Sequence, residues 1–213
     1  MSTDDGSESE ISPVPGGSRF LLGPSRQPSL APEGSPVWVK VVSGLRLLVL
    51  VGGLLLGIAI ASRQLGVGLL TAALGPTAYM FAAHPDTEAA RVRNAVVGHS
   101  TAVASGLASL ALFGLFWSPL PIESSRFGPM QDGAVALAVG LTLLVLELTR
   151  SHHAPAAATA VLVASGLADP GPKLVGLVLG LAAVAMAAPL LRLLPLAALV
   201  RRLRSEEDAS RSE

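Results

Sequence analysis

Long apolar runs alternate with short polar stretches along most of this chain of 213 residues. Four of the runs approach or exceed the length of a helix that crosses a lipid bilayer, which takes about 20 mostly apolar residues. They cover residues 41–61, 95–117, 134–148 and 174–191. Arg46 is the one charged side chain of the first run and Glu147 that of the third, while the other two carry no acid or base. The pattern predicts four membrane-spanning helices.

Two further apolar segments are shorter and are interrupted by glycine or proline. Residues 66–83 contain Gly75 and Pro76, and residues 155–168 begin at Pro155. With these segments included, each half of the chain has a long, a short and a second long apolar segment, in that order. Because three crossings separate the halves, they would insert with opposite orientation, as in transporters whose interrupted helices mark a midplane binding site. We predict an all-α polytopic membrane bundle with a 3+3 inverted repeat. In the alternative arrangement both short segments are re-entrant, and neither counts as a crossing.

The two ends of the chain differ in composition from the middle. Residues 1–36 are rich in Ser, Pro, Gly and acids, and such a segment cannot bury enough apolar surface to offset its ordering entropy. We predict a disordered tail there, a transmembrane domain over residues 37–195 and a polar tail over residues 196–213. The early acids also argue against a signal peptide, which begins with basic residues.

The distribution of basic residues predicts the orientation. If all six segments cross, one side holds both tails and the loops at residues 84–94 and 149–154. That side carries most of the basic residues: Lys40, Arg91, Arg93, Arg150, Arg201, Arg202 and Arg204. The other side carries Arg63, Arg126 and Lys173. The positive-inside rule then places both termini in the cytoplasm of a plasma-membrane protein.

Composition excludes several functional classes. The chain is 51% hydrophobic and 14% charged, against about 25% charged in soluble domains, so membrane lipid is its expected surrounding. A formal net charge of +0 gives no case for a nucleic-acid partner. The absence of cysteine excludes disulfides and thiolate chemistry. A homo-oligomer is left open.

The histidines are the first candidates for chemistry. His152 and His153 are adjacent, so on a helix they would diverge by about 100° and could not face one ion, and we expect neither a metal site nor a cofactor. His99 lies inside an uncharged span, where a polar ring is costly unless it faces the bundle interior or a wet cavity. It either forms a structural hydrogen bond between helices or faces a ligand. No nucleophile or carboxylate pair accompanies the histidines, so we do not expect an enzyme.

The short segments are the second candidates. Thr77 and Thr159 follow Pro76 and Pro155, and proline is favoured at the first position of a helix. Helices that begin inside the protein would direct free N–H groups and a positive dipole end at an anion; kinked packing helices are the alternative. Small residues at i, i+4 spacing predict close helix contacts. These pairs are Gly53 with Gly57, Ala102 with Gly106 and Gly176 with Gly180.

Three motifs resemble those of the HPP family of small integral membrane proteins. HAPAAATA at residues 153–160 is similar to the His-Pro-Pro motif and its short helix, with Ala154 in place of the first proline. VRNAVVGHS at residues 92–100 resembles the family's Pro-Arg-Asn-x-x-x-Gly-His motif, with Val92 in place of the proline. GPTA at residues 75–78 resembles its Gly-x-(Ser/Thr)-Ala motif. The resemblance covers about residues 40–194. It implies a membrane protein of the transporter kind, and nitrite transport is assigned to some plant and cyanobacterial members.

Together these features predict a transporter or channel for a small, nitrite-like anion. Threonine, asparagine and histidine side chains would bind the anion, and Arg93 would attract it on the cytoplasmic side, unless that arginine is only a topology anchor. The predicted substrate-binding residues are Gly75, Pro76, Thr77, Arg93, Asn94, His99, His153, Pro155 and Thr159. A membrane subunit or scaffold that transports nothing is the alternative function.

Overall fold

The computed structural model describes residues 36–117 and 128–193, and within these ranges the chain is helical with no strand. The predicted tails lie outside the described residues apart from Pro36, as do Arg126, Arg201, Arg202 and Arg204. The α-helices are α1 (Val37–Leu47), α2 (Gly53–Leu65), α3 (Leu74–Ala83), α4 (Val92–Leu112), α5 (Pro129–Leu148), α6 (Ala156–Ala164) and α7 (Pro172–Leu193). A π-helical turn, Leu48–Gly52, joins α1 to α2, and a 3-10 turn, Glu88–Ala90, precedes α4.

Four described helices are long and apolar enough to cross a membrane, which confirms the four predicted spans. They cover Val37–Leu65, Val92–Leu112, Pro129–Leu148 and Pro172–Leu191. Three of the spans extend beyond their apolar runs, whereas α4 begins earlier than its run, at Val92, and ends at Leu112, short of the predicted end at residue 117. Pro129 lies in the first turn of α5, where its missing N–H is not needed. Gly66 ends α2 in the left-handed conformation, at φ 64°.

The two shorter segments form helices of limited length. The helix α3 has 10 residues and α6 has 9, which at 1.5 Å per residue is about 15 Å, roughly half the thickness of a bilayer core. The prediction that Pro76 begins its helix is wrong, because α3 begins at Leu74 and Pro76 is its third residue. Proline is tolerated there because the first turn of a helix has no intrahelical acceptors for its N–H groups. Pro155 immediately precedes α6.

Glycines bring α6 close to α4. A Cβ atom at Gly106 would lie 2.7 Å from Cβ of Val163, and one at Gly98 would lie 3.1 Å from Cβ of Ala156. Ala102, between the two glycines, is fully buried. The predicted contact through Ala102 and Gly106 is therefore confirmed, and α6 packs nearly against the backbone of α4.

A second pair of glycines receives the segment that leads into α3. A Cβ atom at Gly176 would collide with the carbonyl oxygen of Gly68, and one at Gly180 with that of Leu69. This chain segment therefore lies along the backbone of α7. The small-residue spacing predicted a close approach at that helix, but the partner is a non-helical segment and not a second helix. A Cβ atom at Gly53 or Gly57 would meet no neighbour within 4 Å, so these two glycines form no such contact within the described chain.

Candidate functional site

His99 is the point at which the two short helices meet. Its Nε2 atom lies 3.0 Å from Oγ1 of Thr77 on α3, and its Nδ1 atom lies 2.8 Å from Oγ1 of Thr159 on α6. All three side chains are buried. Each threonine is the fourth residue of its short helix. One ring on α4 is thus contacted at both nitrogens by equivalent positions of α3 and α6.

His153 completes the group. Its Nε2 atom lies 3.2 Å from Nε2 of His99, and its Nδ1 atom lies 2.7 Å from the carbonyl oxygen of Ala89. The side chain is fully buried, and its ring stacks on Phe81 with the centroids 6.3 Å apart. Burial lowers the pKa of His153 from its ordinary value, and the hydrogen bond to Ala89 opposes that effect. Together these side chains form the histidine cluster, which consists of Thr77, His99, His153 and Thr159.

The donors and acceptors of the cluster determine where its hydrogens lie when both rings are neutral. The Thr77 hydroxyl donates to the carbonyl oxygen of Ala73 at 2.9 Å, so its oxygen accepts from Nε2–H of His99. Nδ1 of His99 then carries no hydrogen and accepts from the Thr159 hydroxyl. His153 donates from Nδ1 to Ala89, because a carbonyl can only accept. Its Nε2 atom is left as an acceptor that faces His99.

Gly98 makes room for His153. A Cβ atom on Gly98 would lie 3.2 Å from Cβ of His153, closer than most real Cβ contacts, so the neighbour would have to shift by a few tenths of an ångström. The glycine next to His99 therefore lets the second histidine approach from the chain before α6. His152, its neighbour in sequence, is exposed and lies 3.8 Å from the carboxylate of Glu147. The two adjacent histidines therefore have different surroundings, but they lie in the non-helical stretch before α6, whereas the prediction assumed a helix.

A cavity of about 450 Å³ adjoins the cluster between α4 and α7. Thr77, His99 and Ser100 are its polar lining residues, and the others are alanine, valine and leucine. Val96, Ser100 and Val178 are exposed, so the cavity opens at the surface of the chain. His153 and Thr159 lie behind His99 and do not line it.

The predicted site residues divide into two sets. Thr77, His99, His153 and Thr159 come together, whereas the others neither line the cavity nor hydrogen-bond to the cluster. Arg93 is exposed at the start of α4. Asn94 is buried, but its amide donates to the carbonyl oxygen of Glu88 at 2.9 Å and so closes the turn before α4. The remaining three residues lie near the ends of the short helices: Gly75 and Pro76 at the beginning of α3, and Pro155 immediately before α6.

Sequence reasoning missed three contributors to the site. The carbonyl groups of Ala73 and Ala89 orient Thr77 and His153, and backbone acceptors have no side-chain signature. Ser100 lines the cavity, and its position next to His99 is the signal that could have revealed it. Among the described residues no group of three or more His, Asp or Glu is placed to hold a metal ion.

Comparison with known proteins places the chain in a family. The family model described as "HPP, transmembrane region" matches residues 27–208. No curated protein and no solved structure matches the chain. The matched range includes all seven helices and the whole histidine cluster. This chain is a membrane protein that belongs to the HPP family.

Proposed function

We propose that the protein transports a small, nitrite-like anion across the plasma membrane, has both termini in the cytoplasm and catalyses no reaction. The observation that supports transport is the histidine cluster, in which Thr77 and Thr159 reach opposite nitrogens of His99 beside a cavity. Polar side chains within a membrane bundle are costly and usually face a pathway or one another. Here the polar side chains of the cluster face one another, and Thr77 and His99 also line the cavity.

The lining of the cavity suits an anion of few atoms. Ser100 can donate a hydrogen bond from its hydroxyl group. Thr77 and His99 are polar lining residues whose hydrogens are donated to Ala73 and Thr77 in the neutral cluster, and no lining residue is acidic. The cavity is open between α4 and α7, at the outer face of these two spanning helices. Arg93 is exposed at the end of α4 that we assign to the cytoplasm, where it would raise the local anion concentration.

We further propose that α3 and α6 are paired half-helices of a 3+3 inverted repeat. Each is about half as long as a full crossing, and each contributes its fourth residue to the same ring. Equivalent positions that meet at one point are what an inverted repeat predicts for its binding site.

A scaffold that transports nothing is the second candidate. It is favoured by the internal pairing of the cluster, since every ring nitrogen of His99 and His153 has a protein partner. Such a network ties α3, α4 and α6 together whether or not a ligand binds. Interhelical hydrogen bonds of this kind are common in membrane bundles.

Flux measurements separate the two functions. The purified protein in proteoliposomes is offered nitrite, nitrate, formate and chloride, and we expect protein-dependent uptake of at least one. The variant His99→Ala is expected to abolish uptake while the protein remains folded, and His152→Ala, which changes an exposed histidine, is the matched control. Unchanged uptake by His99→Ala would remove that residue from the site. No flux of any tested anion through the wild type would favour the scaffold.

A further inference from the structure

We propose that each anion crosses together with one proton, which His99 carries. This inference rests on the proposed function and names the ion that accompanies the substrate. It comes from two observations: the cavity has no fixed positive charge, and both nitrogens of His99 face atoms that can accept a hydrogen bond.

The first observation concerns charge. An anion that leaves water for an apolar site is strongly disfavoured unless an opposite charge is paired with it. None of the residues that line the cavity is Lys or Arg, and His99 is the one lining residue that can bind a proton and become a cation. An anion in the cavity would therefore be neutralised by a proton on His99.

Ionisable groups on the surrounding elements are placed elsewhere. Glu88 pairs with Arg91, Asp169 with Lys173, and Glu147 with His152, and all six side chains are at least half exposed. His84 packs its ring edge-on against Tyr79. The other charged side chains of the segments next to α4 and α6 are exposed as well: Asp86, Arg93, Asp132 and Arg150. Arg46 on α1, which contacts α3, is half-buried and does not line the cavity. The ionisable group in contact with His99 is His153.

The surroundings of His99 provide hydrogen-bond acceptors for both nitrogens of its protonated ring. When a proton binds Nδ1 of His99, the new N–H bond points at Oγ1 of Thr159, whose hydroxyl hydrogen rotates away. The Nε2–H group keeps Oγ1 of Thr77 and Nε2 of His153 as acceptors. His153 must accept because its own hydrogen is committed to Ala89. The cluster thus supplies acceptors to both donors of an imidazolium ion, and His153 acts as a positioning residue.

Coupling follows from the cost of leaving either charge alone. A buried imidazolium without the anion and an anion without the imidazolium are both penalised by desolvation, so the two ions bind together. One proton enters His99 from the aqueous side on which the anion binds, and both leave on the other side. No other covalent bond changes, and the transported unit is electrically neutral.

The test uses the full chain in proteoliposomes that enclose a pH-sensitive dye, with nitrite as the probe. Protein-free vesicles measure the diffusion of nitrous acid, which is subtracted. We expect the lumen to acidify as nitrite enters, and nitrite to accumulate about tenfold for each pH unit of an inward proton gradient. A membrane potential imposed with potassium and valinomycin is expected to leave the uptake rate unchanged, because the unit carried is neutral.

Variants assign the roles. His99→Gln is expected to lose proton-driven uptake at least tenfold. His153→Gln, which keeps one donor and one acceptor, is expected to retain coupled uptake that His153→Leu loses, and His152→Leu is the matched control with wild-type behaviour. Because a His99 variant could fail to fold, Thr159→Val provides a second test through loss of the Nδ1 acceptor, with at least tenfold slower coupled uptake expected.

Nitrite uptake by the wild type that follows the membrane potential and moves no protons would overturn this inference while the proposed function stands. Absence of uptake for every anion of the panel would overturn the proposed function, and this inference with it. Proton-coupled uptake that persists in both His99→Gln and Thr159→Val would overturn the assignment of the proton to His99.

Discussion

The protonation state of His153 matters at the scale of single residues. Only its neutral ring can both donate to Ala89 and accept from His99. Burial favours that neutral ring because it lowers the pKa of His153, with the bond to Ala89 acting in the opposite direction. A single buried imidazole thereby orients the ring that contacts both short helices.

This histidine makes the stability of the protein depend on pH. The pKa of His153 is lower in the folded protein than in the unfolded chain, where it is about 6.5. Its contribution to stability is therefore complete above about pH 6.5 and is lost as the pH falls below that value. We expect the thermal unfolding midpoint in detergent to decrease from pH 7.5 to pH 5.5, and to decrease less in His153→Gln. Equal pH dependence in both proteins would contradict this account.

Gly106 illustrates how little space separates α4 from α6. A methyl group there would lie 2.7 Å from Cβ of Val163, so Gly106→Ala is expected to destabilise the protein by about 1–3 kcal/mol. Gly140→Ala on α5 is the control, because a Cβ atom there meets no other atom within 4 Å. Thermal unfolding of the two variants measures the difference. Equal midpoints would show that α6 can move away from α4 without cost.

At the scale of elements, the turn between α2 and α3 determines where Thr77 lies. Ser62 near the end of α2 donates to the carbonyl oxygen of Val67 at 2.6 Å and accepts from the backbone N–H of Leu69 at 3.1 Å. The carbonyl group of Leu69 then contacts Gly180 of α7. This short segment therefore connects the end of the first long helix to the start of α3.

Loss of the Ser62 hydroxyl should loosen this connection. Ser62→Ala removes one of the two acceptors of the Leu69 N–H, which keeps the carbonyl oxygen of Val67 at 2.8 Å, so we expect a loss of about 0.5–1.5 kcal/mol of stability. We expect a lower unfolding midpoint and faster amide hydrogen exchange over residues 67–74. Thr149→Ala is the matched control, because that exposed hydroxyl bonds only to carbonyl groups of its own helix turn. Unchanged exchange in Ser62→Ala would mean that packing on α7 alone holds the segment.

At the scale of the whole molecule, the orientation in the membrane depends on whether α3 and α6 cross. Six crossings place Glu88 on the same side as the termini, whereas re-entrant short helices place it on the opposite side. Asp169 lies on the side opposite the termini in either arrangement. Both side chains are exposed, which makes them suitable for labelling.

Cysteine labelling distinguishes the two arrangements directly, because the chain contains no cysteine. We expect Glu88→Cys to react with a membrane-impermeant maleimide only from the cytoplasmic side, and Asp169→Cys only from the opposite side. The positive-inside distribution of Lys and Arg is the physical reason. Reaction of both variants from the same side would contradict six crossings and favour re-entrant short helices.

Much of the architecture is readable without coordinates, because the length of an apolar run is a local property. The helices Val37–Leu65 and Pro172–Leu191 follow from such runs, and the glycine spacing on α7 predicts a close contact. Helix ends are less predictable, since proline fits anywhere in a first turn, and Pro76 accordingly lies inside α3. Asn94 resembles a ligand donor in sequence, but a nearby carbonyl group takes its amide.

The composition of the spans and the identity of the polar residues inside them are properties of the chain itself. They single out His99 as a polar ring inside a membrane span, and they place Thr77 and Thr159 after the prolines of the two short segments, while His153 is identified by its family motif. Which of these residues meet is a property of packing. His99 and His153 are 54 positions apart in sequence. They touch because Gly98 leaves room for His153 and because a hydrogen bond to the carbonyl oxygen of Ala89 orients the His153 ring. Contacts between distant helices, and the donors and acceptors that they align, arise only when the whole bundle has folded.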